Sequence, residues 1–226
     1  MNAIASSAKI KSNNGQIFKA QAFLESASVA RTVVQFRKSE QAFAQGDPAT
    51  SVMYIQEGKV KLSVVNEVGK EAIVAILGPG DFFGEGCLAG QSVRMGTATA
   101  LIPTTVSVIQ KNDMMRAIHS ERTFPDRFMS YLLSRKLRTE EDLIDHLFNS
   151  VEKRLARALL LLTGYGKQEP PQKVLPKISQ EMLAEMVGTT RPRINFFMNK
   201  FKKLDYIRYE DGLRINTSLL NVLLHE

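Results

Sequence analysis

A glycine-rich segment with one glutamate and one arginine is the part of the chain best suited to bind a small molecule. It runs from Gly78 to Thr97 and reads GPGDFFGEGCLAGQSVRMGT. Free backbone N–H groups in such a turn, with the side chain of Arg94 approaching, can hold one phosphate group. Glu85 either accepts a hydrogen bond from a ligand hydroxyl group or simply neutralises Arg94. These residue types therefore predict a phosphate-binding turn.

Part of this segment, Gly84–Ala89, also matches the dinucleotide-binding pattern Gly-x-Gly-x-x-Ala. That pattern requires a long helix after it and an acidic residue about 20 residues further on. No acidic residue lies between Glu85 and Asp113, and the residues that follow have strand character. The match is therefore interpreted as coincidental.

A second chemical feature is a cationic helix near the end of the chain. Between Thr190 and Leu204 there is no acidic residue, and the basic residues are Arg191, Arg193, Lys200, Lys202 and Lys203. The apolar face of this helix is predicted to pack on the preceding helix and consists of Ile194, Phe197, Phe201 and Leu204. A helix held in this way with a basic outer face fits the major groove of DNA.

The outer face of this helix offers several kinds of DNA contact. Arg191, close to Thr190 at the start of the helix, is predicted to bind a guanine edge with two hydrogen bonds. The other basic residues, including Arg193 and Lys200, are expected to contact phosphates. For the remaining polar and aromatic positions two interpretations stay open. Asn195 and Asn199 either contact bases or are simply solvated. Phe196 either contacts a thymine methyl group or packs as an ordinary apolar residue.

Local signals around the cationic helix predict a helix-turn-helix unit with a small β-wing. Ser179 is a good N-cap for a helix over Gln180–Val187, and Gly188 is a good C-terminal stop. Pro192 suits the first turn of the next helix. The Asp-Gly pair at Asp211 then favours a hairpin turn between two short strands.

The first half of the chain has an all-β pattern. From about residue 31 to residue 111 the apolar residues recur with a period of two and are separated by turn residues. Val60, Leu62 and Val64 are predicted to be the core-facing residues of a half-buried strand. This strand is predicted to form a hairpin with a second strand over Lys70–Leu77. Further strands are predicted over 31–36, 52–56, 97–102 and 105–109. Such regular short strands favour a sandwich or barrel.

A long helix is predicted to begin after Thr123, with Pro125 in its first turn. Its apolar stripe comprises Met129, Leu133, Leu137, Ile144, Phe148 and Val151. One lone helix cannot bury such a stripe. It packs either against its own β domain or against the same helix of a second chain, and the second arrangement is favoured. The proline-rich segment Gly164–Pro176 then separates the C-terminal helices from this helix.

Composition limits the class of protein. The 226 residues carry a net charge of +7, which favours a polyanionic partner. The single cysteine, Cys87, excludes an internal disulfide and an iron–sulfur cluster. No apolar run approaches the roughly 18 residues that span a bilayer, so we expect a cytoplasmic protein without a membrane partner. The three histidines, His119, His146 and His225, have no carboxylate or cysteine at ligand spacing, and neither an enzyme nor a metal site is expected.

With these elements in order, the chain resembles the Crp/Fnr family over nearly its whole length. The resemblance implies an α+β fold with an N-terminal β-roll, also called a jelly roll, as the sensor domain over residues 1–122. A dimerisation helix over residues 123–150 and a C-terminal winged helix-turn-helix over residues 151–226 complete the expected architecture.

The resemblance also implies roles for individual residues. Arg94 is expected to bind a cyclic phosphate, Glu85 the ribose 2′-hydroxyl, and the backbone of Gly84 and Gly86 the same sugar-phosphate. Thr97 is expected beside this group. Thr139, on the long helix, stands where members that bind cyclic AMP contact the base.

Several residues depart from the family pattern. Met95 stands where a smaller residue is common, which narrows the expected pocket, and Glu140 replaces a small hydroxyl residue. Pro192 and Phe196 stand where an acid and a second arginine are usual. The operator is therefore expected to differ from the commonest palindrome of the family.

The expected function is that of a homodimeric transcription regulator that binds double-stranded promoter DNA, with RNA polymerase as a candidate further partner. No cofactor is required, and the expected effector is a small anion, with cyclic AMP or cyclic GMP as the candidates. Two alternatives remain open. One is the same DNA-binding dimer with a vestigial pocket, and the other is a nucleotide-binding regulatory subunit that uses its basic helices for protein contact.

Overall fold

The structure is a computed structural model that describes residues 29–120, 124–163, 174–175, 178–210 and 212–224. Four predicted features lie wholly or mostly outside these ranges: the cap at Thr123, the proline-rich segment, Asp211 of the wing turn, and His225.

Eight strands form the N-terminal part of the protein. They are β1 Thr32–Phe36, β2 Gln41–Phe43, β3 Ser51–Glu57, β4 Val60–Val65, β5 Glu71–Leu77, β6 Phe82–Phe83, β7 Thr97–Ala100 and β8 Thr104–Gln110. One antiparallel sheet has the order β1-β8-β3-β6 and the other the order β2-β7-β4-β5. The inner faces of both sheets contribute to one apolar core, for example Ile55 and Val106 from the first sheet and Val60 and Leu77 from the second. This is the predicted jelly-roll architecture.

All six predicted strands are present, whereas β2 and β6 were not predicted because two or three residues are too short to display a period of two. The predicted alternation along β4 is only partly correct. A β-bulge between Leu62 and Ser63 shifts the register against β5. The extra residue is Val74 of β5, which is exposed. On β4 itself, Ser63 is buried and Val64 is only half-buried, so the predicted alternation is not followed at these two positions.

Three helices follow the β-roll: α1 Lys111–Ser120, α2 Phe124–Phe148 and α3 Val151–Leu162. The predicted apolar stripe was wrong at Val151, which belongs to α3. A new helix begins there because the side chain of Ser150 accepts a hydrogen bond from the N–H of Lys153.

The long helix α2 divides its apolar residues between two environments. Phe124 and Phe128 are buried against the β-roll, where Phe128 contacts Phe82 edge to face. The predicted stripe lies elsewhere and stays more than half exposed in the single chain, at Met129, Leu133, Leu137, Ile144 and Phe148. The β domain of the same chain therefore does not cover this stripe.

The C-terminal part is a helix-turn-helix with a three-stranded sheet of order β10-β11-β9. Its elements are β9 Val174–Leu175, α4 Gln180–Val187, α5 Arg191–Lys203, β10 Ile207–Glu210, β11 Gly212–Ile215 and α6 Asn221–Leu224. Both predicted caps of α4 are confirmed, since the N–H of Met182 donates to Ser179 Oγ at 3.1 Å and Gly188 adopts φ 69°. Leu155, Leu183 and Phe201 lie at the centre of its core.

The predicted buried face of α5 needs one correction. Ile194 and Phe201 are buried as predicted, but Met198 is the third buried residue and Leu204 is about half exposed. Leu204 ends the helix as its C-cap, so it no longer follows the helical period.

Within the described ranges, no helix is both long and apolar enough to cross a membrane.

Candidate functional site

The glycine-rich segment forms a tight turn at the end of β6. Gly84 has φ 75°, and a short 3-10 helix over Glu85–Ala89 follows it. No α-helix follows this turn before β7 begins at Thr97, so the interpretation of the dinucleotide pattern as coincidental is confirmed.

Arg94 is the cation that this turn encloses. Its side chain is directed inward and the residue is only 5% exposed. Nη1 donates to the carbonyl oxygen of Gly84 at 2.9 Å, and Nη2 donates to the carbonyl oxygen of Ser51 at 2.8 Å and to Ser51 Oγ at 3.1 Å. The guanidinium group lies over the ring of Phe43, 4.2 Å from its centroid. The protein thus holds Arg94 by carbonyl groups and an aromatic face.

Gly84 is required for this arrangement on two grounds. Its positive φ is a conformation that other residues rarely adopt. A Cβ atom at this position would lie 2.5 Å from Arg94 Nη1 and 3.2 Å from the carbonyl oxygen of Ser51. Any larger residue would therefore displace the guanidinium group.

The charge of Arg94 is buried without a carboxylate partner. No ion pair to Arg94 occurs among the residues that the structure describes, and its buried Nε has no hydrogen-bond partner there. Burial lowers the pKa of Arg94, against the opposing effect of nearby Cys87, Asp47 and Glu85. A buried cation is costly unless an anion compensates it, so this environment favours binding of an anion.

Glu85 forms its ion pair with the long helix rather than with Arg94. Its Oε1 lies 2.9 Å from Nη1 of Arg135 on α2, and the same Nη1 donates to the carbonyl oxygen of Phe82 at 2.6 Å. The alternative in which Glu85 neutralises Arg94 is therefore wrong for this structure. Arg135 was not among the predicted site residues. Its position one helical turn before Thr139 was the available signal, because residues four apart share a helix face.

The other predicted effector contacts have modest roles in this structure. Thr97 Oγ1 accepts a hydrogen bond from the N–H of Gln45 at 3.0 Å, and Thr139 Oγ1 donates to the carbonyl oxygen of Arg135 at 3.1 Å. Met95 is mostly exposed and its sulfur atom contacts Gln91, so it does not narrow the space around Arg94 from within.

The predicted DNA-contacting residues share one exposed surface. Thr190, Arg191, Arg193, Asn195, Phe196, Asn199 and Lys200 are all exposed, opposite the buried face of α5. Phe196 is 65% exposed and touches Phe197 edge to face, so it is not an ordinary core residue. The exposed surface of α5 is therefore basic and polar with one aromatic residue.

Several of these side chains contact neighbouring helices. Arg191 forms an ion pair with Glu181 on α4, and Lys200 forms one with Glu152 on α3. Asn195 Oδ1 accepts a hydrogen bond from Gln180 Nε2 at 3.2 Å. These contacts were not predicted, since they join residues that are 10 to 48 positions apart.

Comparison with known domain families identifies both halves of the chain. Residues 33–121 match the cyclic nucleotide-binding domain, and residues 153–221 match the Crp-like helix-turn-helix domain. The first match contains Glu85 and Arg94, and the second contains α4, α5 and the wing strands β10 and β11.

Individual proteins show the same similarity over most of their length. The chain is 29% identical over 179 residues to the CRP-like cAMP-activated global transcriptional regulator of Mycobacterium tuberculosis, covering 78% of this chain and 80% of that one. It is 30% identical over 173 residues to the cyclic AMP receptor protein of Thermus thermophilus, covering 75% and 76%. Among solved structures, the c-di-GMP-responsive global regulator CLP of Xanthomonas campestris matches with a TM-score of 0.72 at 18% identity, over 86% of this chain and 98% of that one. At that identity the likeness concerns the fold.

Proposed function

Because this chain belongs to the Crp/Fnr family of DNA-binding transcription regulators, we propose that its β-roll binds a small anionic effector that controls DNA binding by a homodimer. Cyclic AMP is the first candidate, and cyclic GMP and cyclic dinucleotides follow. The observation that carries the proposal is the buried guanidinium group of Arg94, which has no carboxylate partner among the described residues.

In the proposed complex the effector phosphate binds Arg94 in place of part of its carbonyl contacts. The backbone of Gly84 and Gly86 binds the sugar-phosphate, and Thr97 lies beside it. Glu85 accepts a hydrogen bond from the ribose hydroxyl, for which its ion pair with Arg135 must loosen. Since Arg135 belongs to α2, this exchange links effector binding to the long helix.

Dimerisation is proposed to occur along the exposed stripe of α2. Leu137 is 59% exposed and is flanked on the same helix face by other large apolar residues. Two copies of this stripe can bury one another in a two-helix seam. A two-fold dimer places the two α5 helices at half-sites about one helical turn apart, or a multiple of it. The effector then acts by shifting the balance between two dimer arrangements.

On DNA, Arg191 is proposed to bind a guanine edge, and Arg193 and Lys200 to bind phosphates. Thr190 is proposed to contact the DNA backbone at the start of α5. Asn195 and Asn199 face adenine edges, and Phe196 contacts a thymine methyl group.

Thermal unfolding of the full chain tests the effector proposal. Cyclic AMP, cyclic GMP and c-di-GMP are each added to the wild type, to Arg94→Ala and to Arg37→Ala, which removes an exposed arginine of the same domain. A ligand at one hundred times its Kd stabilises the native state by about 2.7 kcal/mol. For a chain of this size that raises Tm by roughly 5–10 °C.

We expect one of these nucleotides to raise Tm of the wild type and of Arg37→Ala but not of Arg94→Ala. A nucleotide that stabilises Arg94→Ala equally would remove the assignment of Arg94. No response of the wild type to any of the three, with operator affinity unchanged, would establish the vestigial pocket instead.

A further inference from the structure

An acidic side chain lies at the start of the otherwise cationic DNA-binding surface. Glu181 is in the first turn of α4 and Arg191 is the first residue of α5. Glu181 Oε1 lies 3.0 Å from Arg191 Nε, and the two side chains are 54% and 68% exposed. The carboxylate is therefore presented on the same surface as the arginine with which it pairs.

Helix stability alone is a weak explanation for this carboxylate. An acid in the first turn of α4 interacts favourably with the helix dipole, but the effect at an exposed site is small. An exposed ion pair also adds little to stability. The capping requirement of α4 is already met by Ser179, whose Oγ accepts from the N–H of Met182.

Electrostatics alone would disfavour an acid at this place. The surface of α5 is basic and is expected to face DNA phosphates, so a carboxylate beside it weakens general attraction to DNA. A carboxylate here has a cost in non-specific affinity, and base recognition is a compensating use. Carboxylates in the major groove accept hydrogen bonds from the N4 amino group of cytosine.

The geometry of the pair suits base recognition by Arg191. The closest approach of the pair joins Glu181 Oε1 to Arg191 Nε, so the carboxylate lies on the Nε side of the guanidinium group. The two terminal nitrogens, Nη1 and Nη2, are those that can form parallel hydrogen bonds with guanine O6 and N7. Oε1 of Glu181 makes the closest contact with Arg191. An ionised carboxylate has several acceptor sites, so Glu181 can also accept a hydrogen bond from a neighbouring base.

The neighbouring residues support the same arrangement. Gln180, next to Glu181, donates from Nε2 to Asn195 Oδ1 at 3.2 Å. Gln180, Arg191, Pro192 and Asn195 line an open depression of about 470 Å³ between the starts of α4 and α5. Pro192 has no side-chain acceptor, so α5 itself supplies no acid at its first turn.

We propose that Glu181 is a specificity determinant of the DNA-binding surface. It positions Arg191 for a guanine edge and accepts a hydrogen bond from the amino group of a cytosine at an adjacent base pair. This inference rests on the proposed contact between α5 and the major groove.

The test is selection of bound sequences from a randomised DNA library, using the full-length wild type, Glu181→Gln and Glu152→Gln. Dissociation constants are then measured for the selected site and for random DNA. Glu152→Gln is the matched control, because it removes the other ion pair between an acid and α5, which involves Lys200. Thermal unfolding of each variant verifies that it folds.

For Glu181→Gln we expect about a tenfold loss of preference at one guanine and at one adjacent cytosine. Its affinity for random DNA should stay the same or rise, because a negative charge near the phosphates is gone. Glu152→Gln should retain the wild-type motif and change affinity for both DNAs by a similar factor. A purely structural role of Glu181 would instead weaken binding to both DNAs together.

A motif that Glu181→Gln selects unchanged, or equal losses on both DNAs, would overturn the role of Glu181 while leaving the contact of α5 with DNA intact. A wild type that enriches no motif at all would overturn the proposed base recognition by α5 together with this inference.

Discussion

The backbone N–H of Phe82 donates a hydrogen bond to the hydroxyl of Tyr131 at 2.8 Å. Phe82 belongs to β6, directly before the turn at Gly84, and Tyr131 belongs to the long helix α2. One turn further along α2, Arg135 binds the carbonyl oxygen of the same residue. Both polar backbone groups of Phe82 therefore form hydrogen bonds with α2. These bonds connect the turn at Gly84 to the helix that carries the proposed dimer seam.

Replacing Tyr131 with phenylalanine is expected to lower the free energy of unfolding by about 1–3 kcal/mol, because a buried N–H loses its acceptor while the ring packing remains. Urea unfolding of the full chain measures this change. Tyr209→Phe is the control, since Tyr209 is 54% exposed and its change should be within about 0.5 kcal/mol. Equal effects of the two substitutions would contradict the importance of the Phe82 contact.

Alkaline pH should reduce the contribution of the same contact to the free energy of unfolding. Burial, with a contribution from Asp81, raises the pKa of Tyr131 to about 12. In the unfolded chain a tyrosine ionises near pH 10. The stabilising contribution of the neutral hydroxyl is thus fully present below about pH 10 and is lost as the pH rises towards 12. Unfolding free energies at pH 8, 9.5 and 11 should fall more steeply for the wild type than for Tyr131→Phe, and parallel profiles would refute this.

The exposed stripe of α2 predicts a specific effect on assembly. Leu137→Glu should convert a dimer into a chain of 25.2 kDa, because a carboxylate cannot be buried unpaired in a helix seam. Sedimentation equilibrium measures the mass. Val68→Glu, at an exposed valine in the turn between β4 and β5, should remain dimeric. A dimeric Leu137→Glu would place the interface elsewhere.

A lysine of the β-roll contacts the helix-turn-helix unit. Lys61 Nζ on β4 lies 2.7 Å from Glu71 Oε1 and 3.7 Å from Glu185 Oε2 on α4. Its hydrogen bond holds the pKa of Glu71 below the usual 4.5, and the resulting stabilisation is present above that value and is lost as the pH falls.

Lys61→Met should therefore flatten the decrease in stability on acidification below about pH 4.5. Unfolding free energies measured from pH 6 to pH 3 provide the comparison, with Lys70→Met, at an exposed lysine, as the control. An acid profile of Lys61→Met that coincides with that of the wild type would show that Glu71 does not depend on this lysine.

Features that depend on a few neighbouring residues could be predicted from the amino-acid sequence. The strand periods, the cap at Ser179, the stop at Gly188 and the exposed basic face of α5 are such features, because each is set by interactions within one or two turns of chain. The family resemblance rested on the order of these local elements.

The residues that pair across the chain could not be predicted in this way, because their contacts form only in the folded protein. Arg94 binds Ser51, 43 residues away, and Glu85 binds Arg135 on a different element. The bulge in β5 opposite Ser63 and the pairing of Glu181 with Arg191 also depend on how elements pack. No local period specifies such contacts, since burial and charge at these sites arise only when distant segments meet.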